Sequence, residues 1–316
     1  MRGVSFSVAP GEIFGFLGRN GAGKSTTVRI LTTLLRPTAG WARVLGFDVT
    51  AQPEEVRRIQ GVALQAAALD ELMTGREHLV LAARLTGIAA RPAAARAGEL
   101  LETFGLIEAA DRIAAGYSGG MRRRLDVAMA LVGQPRVLFL DEPSTGLDPQ
   151  SRRALWELIG RLRHGGTTVF LTTQYLAEAD VLADRVAVVH EGRIAAVGAP
   201  SELKDRFGAT TLRLRLGGVH AEEQLRRLVP ADVVVGAEDG WVVLAVPGGD
   251  AAVPALIARL SAEGPAIERL AVVSPTLEDV FVTLTGEGIE SSAGVGDIGS
   301  VSAVRRGMGI GGGVGR

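Results

Sequence analysis

The sequence predicts an α/β fold, a mostly parallel sheet carrying a helical lobe, followed by a small α+β domain of ferredoxin-like order. Three observations predict it. A glycine-rich loop, Gly18-Arg19-Asn20-Gly21-Ala22-Gly23-Lys24-Ser25-Thr26, lies between the apolar run Ile13-Phe14-Gly15-Phe16-Leu17 and a helical pattern. A second apolar run, Val137-Leu138-Phe139-Leu140, ends in two carboxylates, Asp141 and Glu142. From about Thr210 strand and helix patterns recur in the order βαββαβ.

Taken in order, residues 4–8 (Val-Ser-Phe-Ser-Val) alternate as a half-buried strand does, and Ala9-Pro10-Gly11 turns them into the strand at 13–17. A helix is expected over about 25–35, with Val28, Ile30, Leu31, Leu34 and Leu35 on its buried face and Pro37 beyond its end. Strands are expected at 41–44 and at 59–64, the latter ending at Gln65. From about 72 to 130 the chain is Ala, Leu and Arg at helical spacing, broken at 87–92 and at Gly105, so a helical lobe is inserted in the sheet domain. After the strand of Asp141, another strand at 167–171 leads into Thr172-Thr173-Gln174. A hairpin at 186–189 and 193–198 and a short helix at 201–207 close a first domain spanning 1–207.

In the second domain, 208–286, strands are expected at 211–216, 232–236, 241–246 and 267–273, with helices near 221–228 and 251–263 and a closing amphipathic helix within 274–286. This domain gathers no cluster of catalytic residue types, so it is expected to regulate or to dock a partner. Residues 287–316, rich in Gly and Ser, are expected to be disordered.

Composition excludes several classes. At 316 residues and 47% hydrophobic the chain can build sizeable cores, and its formal charge of −1 provides no field for nucleic acid or anionic lipid. No cysteine is present, which removes disulfides, thiolate zinc sites and cysteine nucleophiles. No signal-peptide pattern and no run of eighteen apolar residues occurs, so a soluble, intracellular chain is expected.

The chemistry lies in the loop and the acids. Polyphosphate needs many donors at close range, and glycines let backbone N–H groups curl inward while the helix N-terminus adds positive potential. Lys24 is spaced to reach the β and γ phosphates, and the Ser25 hydroxyl to sit on Mg²⁺. Asp141, at the carboxyl end of a buried strand, can hold the same ion, and Glu142 can take a proton from an attacking water. The plainer readings are a glycine turn that binds nothing, two solvated acids at a strand end, and a Ser118-Gly119-Gly120 stretch that only caps a helix.

Together and in this order, Gly18 to Thr26, Gln65, Ser118-Gly119-Gly120, Leu140-Asp141-Glu142-Pro143 and Ser144-Thr145-Gly146-Leu147-Asp148 resemble the ATP-binding subunit of an ABC transporter, over 1 to about 202. The resemblance implies a P-loop ABC ATPase core that binds ATP and Mg²⁺. Gly18, Asn20, Gly21, Gly23, Lys24, Ser25 and Thr26 would cradle the phosphates, and Gln65 would touch Mg²⁺ and sense a membrane partner. Ser118, Gly119 and Gly120 would meet the γ-phosphate held by a second copy, and Asp148 would lie at the seam between copies. Gln65 can also be an exposed strand end, and Asp148, before Pro149, a helix cap.

Gln174 stands where most of this superfamily carries a histidine that contacts the γ-phosphate. Glutamine can donate a hydrogen bond but cannot carry a proton, so a retained but slower ATPase is expected, with Glu142 as base. The chain also opens at what would be the second strand of related subunits. An upstream start or a weaker hold on adenine is therefore expected, with Phe6 and Phe14 as core residues.

Tyr117-Ser118-Gly119-Gly120-Met121-Arg122-Arg123-Arg124, Gln174 and Pro275-Thr276-Leu277-Glu278-Asp279-Val280-Phe281 resemble the daunorubicin-resistance ATPases of drug-producing actinobacteria. That resemblance implies drug or antibiotic export through a separate membrane permease, an ATP-bridged dimer, no nucleic-acid partner, and a place at the cytoplasmic face of the membrane. An importer, a lipid or polysaccharide exporter, a soluble ABC protein and a plain P-loop kinase are the alternatives.

Overall fold

The computed structural model describes residues 1–286 apart from 67, 219, 231, 232 and 239. The tail expected at 287–316 lies outside the described residues. The chain divides into two compact units, Met1–Pro200 and Ser201–Arg316. The division precedes the boundary expected at 207/208, because the short helix after Pro200 groups with the second unit.

The first unit runs β1 (Ile13–Gly18), α1 (Lys24–Leu31), β2 (Arg43–Val44), β3 (Phe47–Asp48), α2 (Pro53–Ile59), β4 (Gln60–Ala63), α3 (Gly75–Leu85), α4 (Ala90–Thr103), α5 (Gly119–Ala130), β5 (Val137–Asp141), α6 (Pro149–Leu162), β6 (Thr168–Thr173), α7 (Leu176–Leu182), β7 (Arg185–His190) and β8 (Arg193–Gly198). Its main sheet has the order β4-β5-β6-β1-β7-β8, parallel throughout except for the last strand. The strands read as continuous apolar runs because helices cover both faces, and their side chains divide with period two. Ile13, Leu138, Leu140, Val169 and Leu171 enter the core shared with the helical lobe and α6. Phe14, Phe16, Phe139 and Phe170 enter the opposite core, with Val28 of α1.

Parallel pairing sets the carboxyl ends of these strands level. Asp141 pairs with Thr172, and Leu17 with Thr173, so the loop after β1 and the acids after β5 meet at one edge.

The second unit contains α8 (Pro200–Phe207) from its second residue, β9 (Thr211–Gly217), α9 (Ala221–Leu228), β10 (Val234–Glu238), β11 (Trp241–Ala245), α10 (Val253–Glu263), β12 (Ala266–Val273) and α11 (Leu277–Thr285). Its sheet is antiparallel with order β10-β11-β9-β12, the ferredoxin-like arrangement. Leu212, Leu214, Val242 and Leu244 pack with Leu225 and Leu260 as its core. No helix among the described residues is long and apolar enough to cross a membrane.

Several local expectations need correction. Residues 4–8 alternate in burial but join no ladder. Alternation reports one buried face and needs no partner strand: Phe6 lies over Phe14 and Phe170, with ring centroids 5.6 and 5.8 Å apart. The strand expected at 41–44 reduces to Arg43–Val44, with Trp41 exposed, and it turns at Leu45-Gly46, both at positive φ, into β3. Ile59 ends a helix that periodicity missed, so β4 begins at Gln60. Pro92 falls in the first turn of α4, where the missing N–H costs nothing, so the break at 87–92 is shorter than expected.

Helix α1 stops at Leu31 instead of near Leu35, and Leu34 and Leu35 are exposed. The Leu34 N–H donates to the Arg29 carbonyl and the Thr33 N–H to that of Ile30, a Schellman closure with Thr33 at φ 65. A β-branched residue is costly in that conformation. Thr33→Gly should therefore raise stability by about 1 kcal/mol in chemical denaturation. The exposed bond from Arg57 Nε to Thr33 Oγ1 offers little to lose.

Candidate functional site

The loop after β1 brings its backbone inward through Gly21 and Gly23, at φ 83 and 100, a conformation L side chains resist. Lys24, the first residue of α1, is 4% exposed, and its ammonium donates to the carbonyls of Gly18 (2.8 Å) and Arg19 (3.2 Å). It also lies 2.9 Å from Glu142 Oε1, with both side chains almost wholly buried. Ser25 Oγ donates to Asp141 Oδ1 at 3.2 Å, and Thr172 Oγ1 donates to the same oxygen. The carboxylates thus point to different partners, Asp141 to two hydroxyls and Glu142 to the loop lysine.

Glu142 leaves the strand at φ 47, a left-handed conformation for a non-glycine residue. Its N–H donates to both the carbonyl and the hydroxyl of Thr172, at 3.1 and 3.0 Å, which holds the turn. Its second oxygen accepts from Thr145 Oγ1 at 3.3 Å. The acid is therefore fixed at both oxygens and at its backbone.

The donor set fits Mg²⁺ shared with phosphate. A hydroxyl and one carboxylate stand side by side, and Mg²⁺ is commonly bound through one or two carboxylates together with substrate phosphates. No cluster of three or more metal-ligating side chains occurs among the described residues, so an all-protein cage is not the design there.

Behind the acids lies Arg123, on α5 and 6% exposed. Its guanidinium donates to the carbonyls of Asp141 and Pro143, both at 2.9 Å, to the Leu64 carbonyl and to Asp126 Oδ2 at 2.7 Å. Burial lowers the pKa of Arg123, and the nearby carboxylates of Asp126, Glu178 and Asp141 offset this. Burial likewise pushes the Asp126 carboxyl up to about 6, against the pull of Arg123.

The folded form holds the Asp126 proton to higher pH than the unfolded chain, whose aspartate titrates near 3.8. Its contribution to stability therefore falls as pH rises from about 4 to about 6 and is flat above, a change on the order of 3 kcal/mol. Asp126→Asn should remove that slope in chemical denaturation measured across the same pH range.

Ser118 is exposed at the N-cap of α5 and accepts from the Met121 N–H at 3.3 Å. Gly119 is exposed, while Gly120 is forced by packing: a Cβ there would lie 2.4 Å from Ser151 Oγ. Asp148 caps α6, accepting from the N–H groups of Gln150 and Ser151 at 3.0 and 2.9 Å. Gln65 is exposed just beyond β4, next to the carbonyl that Arg123 holds, and Gln174 is half-buried after β6. The structure gathers Lys24, Ser25, Asp141 and Glu142 into one bonded group. Gln65, Gln174, Asn20 and Ser118 to Gly120 are not bonded to it.

Sequence reasoning missed Thr172, Thr145, Arg123 and Glu178. Glu178, fully buried on α7, accepts from Trp156 Nε1 at 2.8 Å, and burial raises its pKa. For Arg123 a signal existed: it lies three residues after Gly120 and four before Val127, on the buried stripe of α5.

Residues 1–145 match the family model of the ABC transporter, and residues 198–285 match that of the ATP-binding protein DrrA1-3-like C-terminal domain. The chain is 46% identical over 297 residues to the daunorubicin/doxorubicin resistance ATP-binding protein DrrA of Streptomyces peucetius, covering 90% of this chain and 87% of that protein. The doxorubicin resistance ATP-binding protein DrrA of Mycobacterium tuberculosis is 41% identical over 301 residues, 91% of this chain and 89% of its own.

Among solved structures, an ATP-binding subunit of an ABC transporter matches with TM-score 0.58 and 33% identity, over 65% of this chain and 85% of that one. A dimeric post-hydrolysis state of the ATP-binding cassette MJ0796, bound to ADP and Pi, matches with TM-score 0.57 and 25% identity, over 62% and 88%.

Proposed function

Because the chain belongs to the ABC transporter ATP-binding family, in the branch of the daunorubicin and doxorubicin resistance ATP-binding proteins, we propose that it energises a drug exporter from the cytoplasmic face of the membrane, through a separate permease. As an ABC ATPase it binds and hydrolyses ATP. The observation that carries the reading is the bonded group of Lys24, Ser25, Asp141 and Glu142 at the sheet edge, in a chain that also carries the DrrA-like C-terminal domain.

In this reading the backbone from Gly18 to Thr26, Asn20 included, wraps the phosphates, and Lys24 turns from Glu142 to the β and γ phosphates. Mg²⁺, held by Ser25 and Asp141 with Gln65 nearby, would neutralise phosphate charge when bound. Glu142, released from the ammonium, takes the proton of the attacking water, and Gln174 donates a hydrogen bond toward the γ-phosphate. One copy leaves the γ end open. A second copy, docked head to tail, would close it with exposed Ser118 and Gly119 at the start of α5, with Asp148 at the seam. Gly120 serves this arrangement indirectly, by letting α5 approach Ser151.

The direct test reconstitutes the chain with a membrane permease in inside-out vesicles. ATP-dependent accumulation of an anthracycline is the expected result. Coupling to uptake in the importing direction, or to no permease, would contradict the export reading.

A further inference from the structure

We infer that Arg123 is a positioning residue for hydrolysis: it ties the helix that begins at Ser118 to the backbone on either side of Glu142 and to the peptide before Gln65. Three features of its environment carry this. Its fork of donors spans two carbonyls, Asp141 and Pro143, that flank Glu142, each at 2.9 Å. The same guanidinium reaches the Leu64 carbonyl, one residue before Gln65. Asp126, three residues along the same helix and 2.7 Å away, orients it.

The arrangement is costly to build, because a buried ion pair pays a desolvation penalty that an apolar pair of similar volume would avoid. It does, however, satisfy three main-chain acceptors from two chain segments with one rigid plane, which a point donor such as lysine cannot do. Glu142 turns the chain at φ 47, and Arg123 fastens the carbonyls on either side of that turn. Movement of α5, which carries Ser118 five residues earlier, must then move the Glu142 peptides and the start of the Gln65 segment together. The inference rests on the reading of Glu142 as the base.

The test compares the full chain with Arg123→Lys, Arg123→Gln and the double variant Arg123→Gln/Asp126→Asn. The double variant removes both charges, so no uncompensated ion is left buried. Measured are the unfolding temperature, affinity for trinitrophenyl-ATP, kcat and KM for ATP, and amide exchange at 64–66 and 141–145. The double variant should regain the unfolding temperature that Arg123→Gln loses and should bind nucleotide within about threefold of wild type, while its kcat stays about 10- to 100-fold low. Exchange should rise in both segments. Arg123→Lys keeps the charge pair and should show the same loss of kcat, which covers the case of a double variant that does not fold.

A double variant with kcat within about twofold of wild type would overturn the inference, because the arginine would then be structural only. Unchanged exchange in either segment would overturn it as well. A wild-type chain that hydrolyses no ATP would count against the ATPase reading instead, and amide exchange would still decide the role of Arg123.

Discussion

Replacing Glu142 by Gln lowers ATP hydrolysis by about 10²- to 10⁴-fold, the usual contribution of a positioned general base, while leaving ATP bound. The two effects separate because the site assigns them to different atoms. In the proposed mechanism phosphate affinity comes from the loop backbone and Lys24, neither of which the substitution removes. Glutamine keeps the volume of Glu142: its single carbonyl oxygen still accepts from Lys24 and its NH2 donates to Thr145 Oγ1, while the left-handed turn keeps its two backbone N–H bonds to Thr172. It cannot take a proton from water. Hydrolysis measured beside equilibrium binding of a fluorescent nucleotide checks both halves, and an unchanged rate would transfer the base to another group.

The second large effect is on Lys24. Lys24→Ala should weaken nucleotide binding by about 10- to 100-fold, the loss expected for a charge-assisted bond to phosphate. It should also destabilise the free protein by about 3 kcal/mol, because Glu142 would be left buried without its cation. The remaining bond from Thr145 limits that cost. Lys24→Ala/Glu142→Gln should recover most of the stability and none of the affinity. Calorimetry of the two variants separates these outcomes, since only the stability term belongs to the ion pair.

Much of this site is legible in the sequence because main-chain geometry and residue type report the same thing. Gly-rich spacing after an apolar strand admits few structures, and an apolar run ending in Asp141-Glu142 places acids at a sheet edge wherever the sheet is parallel. The βαββαβ order of the second unit is likewise carried by its alternation.

What was not legible depends on contacts between distant segments. Helix α2 has a single buried residue, Val56, so periodicity is silent, although Pro53 at its start, Glu54 and Glu55 in its first turn and Arg57 and Arg58 in its last are helix signals. The early end of α1 depends on Thr33 taking a conformation that glycine usually takes, so the apolar Leu34 and Leu35 mislead. Arg123 stands between two other arginines. Arg122 meets Glu71 and the Ala115 carbonyl at the surface, and Arg124 meets the Phe104 carbonyl, so residue type does not single out the one that enters the core, and only its helical spacing from Gly120 and Val127 marks it.

The Lys24–Glu142 pair has the same origin. Each residue is readable as a phosphate ligand or a base, but their mutual neutralisation appears only when β1 and β5 are set level through β6.

In the proposed mechanism two copies of this chain close around ATP, with Glu142 as base. Mg²⁺-dependent hydrolysis by the purified chain across a range of protein concentrations, with Glu142→Gln alongside, tests it most directly. The predicted result is a specific activity that rises with concentration before reaching a plateau and that is lost in the variant. A specific activity independent of concentration, or one that survives in the variant, would contradict it.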